Sequence, residues 1–390
     1  IELSEDAEEF RLLITDLCQV DGWSDPPEIA RTLTSAEGVI VQGGGLGGYA
    51  IGWFGLETYV ELNRLHDLWL GDAVCTLLKN HAWDLFYMHS HPPDWLYHAV
   101  LSDMDPATCR DDARRRAAWD CHLRVYQSQD QMIGRILECC GDDCLVVLVS
   151  DHGAVADGPS FNPYHALVPA GLSAVLETAD LGQAAGYAAK VQAAVGMTSR
   201  PDPKRSKAIA QRAVYVYVNL KGRDPDGIVA PEDYPAVQQQ IIDALYAYRD
   251  PKSGRRAVSL ALSRQDARLL GLCGERVGDV VYALYPEFGS QHGQVLPTAE
   301  WGVGSLKGLL VLNGPGIKKG HRLQRTVWLT DLVPTLCCLA DLPLPEQAEG
   351  AVMVQAFEEP DSRRLEIEAL KGKLEAIERR LTEKPIGCLC

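Results

Sequence analysis

Residues 145–150 read Leu-Val-Val-Leu-Val-Ser and then break at once into Asp151-His152-Gly153. A short run of branched apolar residues that ends in a polar turn has the pattern of a strand buried on both faces, as in a parallel sheet. Residues 84–90, Asp-Leu-Phe-Tyr-Met-His-Ser, have the same character. Between the two runs lies a long helical pattern. Asp105-Pro106 offers an N-cap followed by proline at the first helical position. Trp119, Leu123, Tyr126, Ile133, Leu137 and Cys140 then recur at helical spacing, and Gly141 closes the helix. Strand, helix, strand is the crossover unit of an α/β protein. The expected fold is therefore α/β, a mostly parallel sheet with helices on both faces. In open sheets of that kind the ligand sits beyond the carboxyl ends of the strands. Both His89-Ser90-His91-Pro92-Pro93-Asp94 and Ser150-Asp151-His152-Gly153 fall at such ends.

Downstream, residues 213–220 alternate like a strand with one exposed face, and a helix opens at Pro231-Glu232-Asp233. Strand patterns return at 257–262 and 279–284. Residues 213–277 are expected to form a small α/β cap between two parts of a core, 56–212 and 278–358. Residues 1–55 precede that core as an insertion or remnant. The tail, 359–390, differs in kind. Ile367, Leu370, Leu374, Ile377 and Leu381 stand three and four apart among charged residues, a heptad-like seam of an amphipathic helix. The seam is short and Gly372 interrupts it, so the helix is expected to dock on its own chain; a homo-oligomer through it is the alternative.

Charge and cysteine usage limit the partners. A net charge of −16 argues against binding a nucleic-acid backbone, which needs a basic face. A small phosphorylated substrate remains compatible if bound cations reverse the local field. The 12 cysteines fall in adjacent pairs or singly inside apolar segments, the pattern of reduced thiols in a cytoplasmic protein. No run approaches the length of a membrane span, so no membrane partner is expected. Gly43-Gly44-Gly45-Leu46-Gly47-Gly48 spells a dinucleotide fingerprint, but no helix pattern begins within it, and it reads as a surface loop.

The residues that carry chemistry are carboxylates and imidazoles. Asp94 and His98 form one pair, Asp151 and His152 a second, and His292 stands between glycines near the end of the 279–284 run. Aspartate and neutral histidine suit Zn²⁺ or Mn²⁺. Asp94, His98 and His292 would give one ion three protein ligands and an open position, the arrangement of a catalytic site. Asp151 and His152 would be half of a second. His89 and His91 are expected to orient ligands through hydrogen bonds, with contact to a leaving group as the alternative.

In order and approximate separation, Asp94-x-x-x-His98, Ser150-Asp151-His152-Gly153 and His292-Gly293 resemble the type I phosphodiesterase/nucleotide pyrophosphatase group of the alkaline phosphatase superfamily. Gly308–Gly320 and Leu329–Pro345 look like its closing strand and helix. The resemblance runs from about Val60 to Phe357. It implies an alkaline-phosphatase-like core and a centre of two divalent ions, usually zinc, with Asp94, His98 and His292 on one and Asp151 and His152 on the other. It also implies an N-terminal aspartate ligand and a threonine or serine nucleophile, and neither is found. Thr32, Thr34 and Ser35 follow no strand that ends in Asp-Gly. The chain opens on Ile1, so truncation of a longer protein is the expected reason, and this chain alone is expected to be inactive or nearly so. The function implied is hydrolysis of phosphodiesters or nucleotide pyrophosphates. Alternatives are a phosphomonoesterase or phosphonate hydrolase on the same scaffold, or a non-catalytic metal-binding interaction protein. A sulfatase is disfavoured because no Cys-x-Pro-x-Arg sequence occurs.

Overall fold

A computed structural model describes the chain outside residues 1, 4–7, 9, 12–19, 41–47, 50–51, 160, 177–199, 212–213, 290 and 384–390. Most of the glycine-rich stretch, Gly43 to Gly47, lies outside the described residues. The chain divides into two compact units, Ile1–Cys139 with His152–Gly308, and Cys140–Asp151 with Leu309–Cys390.

The first unit has a helical part and a sheet part. Helix α1 spans Glu28–Glu37, α2 Leu56–Asn80, α3 Pro92–Met104 and α4 Asp112–Cys140. Tyr59 and Leu62 of α2, Leu96 and Val100 of α3, and Cys121 and Val125 of α4 form one buried cluster. Pro92 and Pro93 open α3, where missing N–H groups cost nothing because the first turn has no acceptor for them.

Helix α4 does not begin at Asp105-Pro106. Asp105 is fully buried, and its carboxylate accepts from Ala107 N (2.8 Å) and Val303 N (2.9 Å). It fastens a turn to a distant loop instead of capping a helix. Gly302 permits this approach: its φ is +58°, and a Cβ there would lie 1.8 Å from Asp105 Oδ2. The cap is Asp111, whose Oδ1 accepts from Ala113 N and Arg114 N at 2.8 and 3.1 Å.

The sheet part contains β2 (Ala208–Gln211), β3 (Tyr215–Val218), β4 (Val258–Ser263) and β5 (Val280–Leu284), in the order β2-β3-β5-β4. Every pairing in it is antiparallel. Helix α5 (Tyr234–Ala247) packs through Val237, Ile241 and Leu245 into a core with Val216, Val258 and Val280. The sheet draws strands from residues on both sides of 213–277.

In the second unit, β1 (Val146–Val149) pairs with β6 (Leu310–Asn313), again antiparallel. Helix α6 spans Leu332–Leu339 and α7 Ser362–Glu383. Ile317, Ala356 and Phe357 centre the core of this unit.

The structure is mixed α/β, but the expected parallel sheet is not seen among the described residues, where parallel pairing is confined to the isolated bridges Leu220–Val229 and Leu284–Val295. Residues 84–90 form no ladder, and Leu85 and Tyr87 are each 80% exposed. An apolar run becomes a strand only with a partner for its backbone, and this one has none among the described residues. On the tail helix α7, Leu370, Leu374 and Ile377 are each more than half exposed. No helix among the described residues is long and apolar enough to cross a membrane.

Candidate metal centre

The first turn of α3 carries Asp94, and the next turn carries His98 on the same face, as i,i+4 spacing requires. Asp94 Oδ2 lies 3.4 Å from His98 Nε2. His292 arrives from the loop after β5, with its Nε2 3.5 Å from Asp94 Oδ1 and 3.0 Å from His98 Nε2. Three side chains, one of them some 190 positions away in sequence, thus offer ligand atoms that all lie within 4.8 Å of one another. All three side chains are partly exposed, so the cluster opens to solvent.

His152 joins the group by stacking on His292, ring centroids 4.2 Å apart and planes 25° off parallel. Its Nδ1 lies 2.9 Å from the Gly153 carbonyl. A carbonyl only accepts, so this contact calls for a proton on Nδ1. Gly153 has a steric reason to be glycine. Its N–H donates to the Leu306 carbonyl at 2.9 Å, and a Cβ would meet the Ser305 carbonyl oxygen at 2.1 Å.

Electrostatics favour an ionised Asp94. Burial by itself would raise its carboxyl, but the hydrogen bond from His98, with the charges of His98, His292 and His152, outweighs burial and holds it below the ordinary carboxylate range. The result is an anionic oxygen pair facing imidazoles.

The other expected residues take different positions. Asp151 is the last residue of its segment in the second unit, just beyond β1, and is exposed. His89 and His91 meet each other at 4.4 Å between ring centroids, and His91 stacks on Trp95 at 5.2 Å. The His91 carbonyl accepts from Asp94 N and Trp95 N, which starts α3 just before Asp94.

One residue at the site has no sequence signal. Gln291 precedes His292, is 4% exposed, and holds φ at +44°, an uncommon value for a residue with a side chain. Its amide nitrogen donates to the His98 carbonyl (3.3 Å) and to Asp157 Oδ2 (2.9 Å), and its carbonyl accepts from Val155 N at 2.9 Å. It ties the His292 loop both to α3 and to the segment after His152. Only a left-handed backbone, which no composition rule assigns to glutamine, gives it that reach.

Comparison with known proteins agrees with the geometry. The family model for type I phosphodiesterase / nucleotide pyrophosphatase matches residues 49–294. No curated protein and no solved structure gives a significant match. The matched span is more than half of the chain and includes Asp94, His98, Asp151, His152 and His292, and the chain belongs to the type I phosphodiesterase/nucleotide pyrophosphatase family of the alkaline phosphatase superfamily.

Proposed function

We propose that this chain is a metal-dependent hydrolase of phosphoric esters, acting on phosphodiesters or nucleotide pyrophosphates through a centre of two divalent ions. The observation that carries this reading is the convergence of Asp94, His98 and His292. Their separations of 3.4, 3.5 and 3.0 Å can be compared with a known geometry. A tetrahedral zinc ion with ligand bonds of about 2.0–2.1 Å keeps its ligand atoms roughly 3.3 Å apart. One carboxylate and two imidazoles are also the donor types that suit Zn²⁺, with Mn²⁺ second. The residues present therefore fit an ion.

Asp94, His98 and His292 would hold the first ion, and Asp151 and His152 would contribute to the second. A divalent ion supplies Lewis-acid polarisation of a phosphoryl oxygen. The chain's own part is to fix ligand positions through α3 and the Gln291 loop, to hold a proton on His152 Nδ1, and to leave an open side for a small phosphorylated substrate. No nucleophilic hydroxyl is assigned.

Hydrolysis of a bis-nitrophenyl phosphodiester and of a nitrophenyl phosphomonoester, with Zn²⁺ or Mn²⁺ supplied, tests the proposal. Slow turnover that needs metal, favours the diester and disappears in Asp94→Ala is expected. Preference for the monoester would turn the reading to a phosphomonoesterase. Metal binding without turnover above the Asp94→Ala background would leave a non-catalytic metal-binding protein.

A further inference from the structure

Helix α7 presents Leu370, Leu374 and Ile377 at 55, 56 and 53% exposure. The sequence extends the same spacing to Ile367 and Leu381, giving a 3-4-3-4 seam with Ile367, Leu374 and Leu381 at a and Leu370 and Ile377 at d. A helix of this length with a glycine at 372 is marginal alone in water, and most helical stability in proteins comes from packing an apolar face. The occupant of that face can be read from the charges beside it.

The heptad register places Glu366, Lys373 and Arg380 at g, and Arg364, Lys371 and Glu378 at e. In a parallel pair each g residue faces the e residue of the following heptad on the other strand. Glu366 then meets Lys371 and Lys373 meets Glu378, so both pairings are attractive and occur twice by symmetry. In an antiparallel pair with the same core layers, g faces g and e faces e. That arrangement sets Lys373 against Lys373 and Lys371 against Lys371 at its centre, with the attractive pairs Glu366–Arg380 and Arg364–Glu378 on either side. Only the parallel orientation is free of like-charge pairs, and in it the seam complements a second copy of itself.

We propose that α7 is the interface of a parallel homodimer, a short two-stranded coiled coil formed with α7 of a second copy of this chain. Its length makes the association modest and concentration-dependent. Leu374 and the flanking charges lie outside the proposed metal-binding residues, so substitutions there leave metal binding as a control for correct folding.

Sedimentation equilibrium of the full chain over the micromolar range tests this. The expected result is a monomer–dimer equilibrium that L374E removes, with dimer affinity lowered at least 100-fold, while thermal unfolding of the monomer is unchanged because residue 374 is exposed there. K373E sets like charges against Glu378 of the other copy and should weaken the dimer about tenfold. K373E combined with E378K restores the opposite pair and should return the wild-type affinity. A wild-type chain that stays monomeric throughout overturns the proposal. So does a dimer that survives L374E, or one that tolerates K373E and is weakened by the double change, as antiparallel pairing requires.

Discussion

Gln291 adopts a left-handed backbone at a cost of about 1 kcal/mol or more, and a residue keeps such a conformation only where its surroundings over-determine it. Here three hydrogen bonds do so, two from the side chain and one to the main chain. Truncation in Gln291→Ala keeps the strain and removes the ties to His98 and Asp157. Residues that orient metal ligands typically contribute 10–100-fold to affinity, so zinc affinity should fall by about that factor while His292 remains in place. Isothermal titration checks this; unchanged affinity would show that the loop holds its shape without the amide. A second residue concerns stability. Asp67 is fully buried on α2, where burial raises its carboxyl to about 6 despite a hydrogen bond from Gln129. The folded state then binds a proton more tightly than the unfolded state, in which the carboxyl has its ordinary value near 3.8. Stability is lost as pH rises from that value to about 6, by roughly 2–3 kcal/mol on the scale of 1.36 kcal/mol per pH unit. Asp67→Asn should abolish this loss. Urea unfolding of both proteins on either side of the window should show a stability difference that changes with pH. A difference that is the same at both would mean that Asp67 does not carry it.

Among the elements, the four-stranded sheet depends on one buried charge. Asp279 is fully buried and accepts from Arg223 Nη1 (2.9 Å) and Nη2 (2.7 Å), from Val218 N (2.7 Å) and from Tyr234 OH (3.0 Å), and it pairs with Arg264 at 3.0 Å. It joins the strand pair β3–β5 to the loop after β3 and to the start of α5. Asp279→Ala leaves two guanidinium groups facing a vacated pocket, and breaking a buried pair from one side costs about 3–5 kcal/mol. Chemical denaturation should register a loss of that size; a change below about 1 kcal/mol would mean that water replaces the carboxylate. The strands of this sheet were legible in the sequence because alternation within β3, and apolar runs at β4 and β5, are local signals. Their antiparallel order was not, since pairing joins residues far apart in the chain. The run at 84–90 misleads for the same reason: its composition is that of a strand, but the partner that makes a strand is not a property of the segment. Likewise Asp105 looks like a helix cap until Val303 and Gly302 claim its carboxylate.

At the level of the whole molecule, the sequence carried the candidate site further than the fold. Asp94 and His98 are visible as a closely spaced carboxylate–imidazole pair after an apolar run, and Asp151 and His152 as the polar break at the end of another. That His292 meets them is visible only in three dimensions or through family order. Gln291 is invisible before the backbone is known. With a net charge of −16, the proposed reaction on a phosphorylated substrate calls for bound cations, which makes metal affinity the quantity on which the functional reading rests. Direct titration of Zn²⁺ into wild-type protein and into Asp94→Ala, His98→Ala and His292→Ala, each verified as folded, measures it. Removing one of three ligands from an ion should lower affinity at least 100-fold in every variant, while His89→Ala stays within a few-fold of wild type. If the three alanine variants bind zinc as tightly as the wild type, the convergence of Asp94, His98 and His292 is not a metal site.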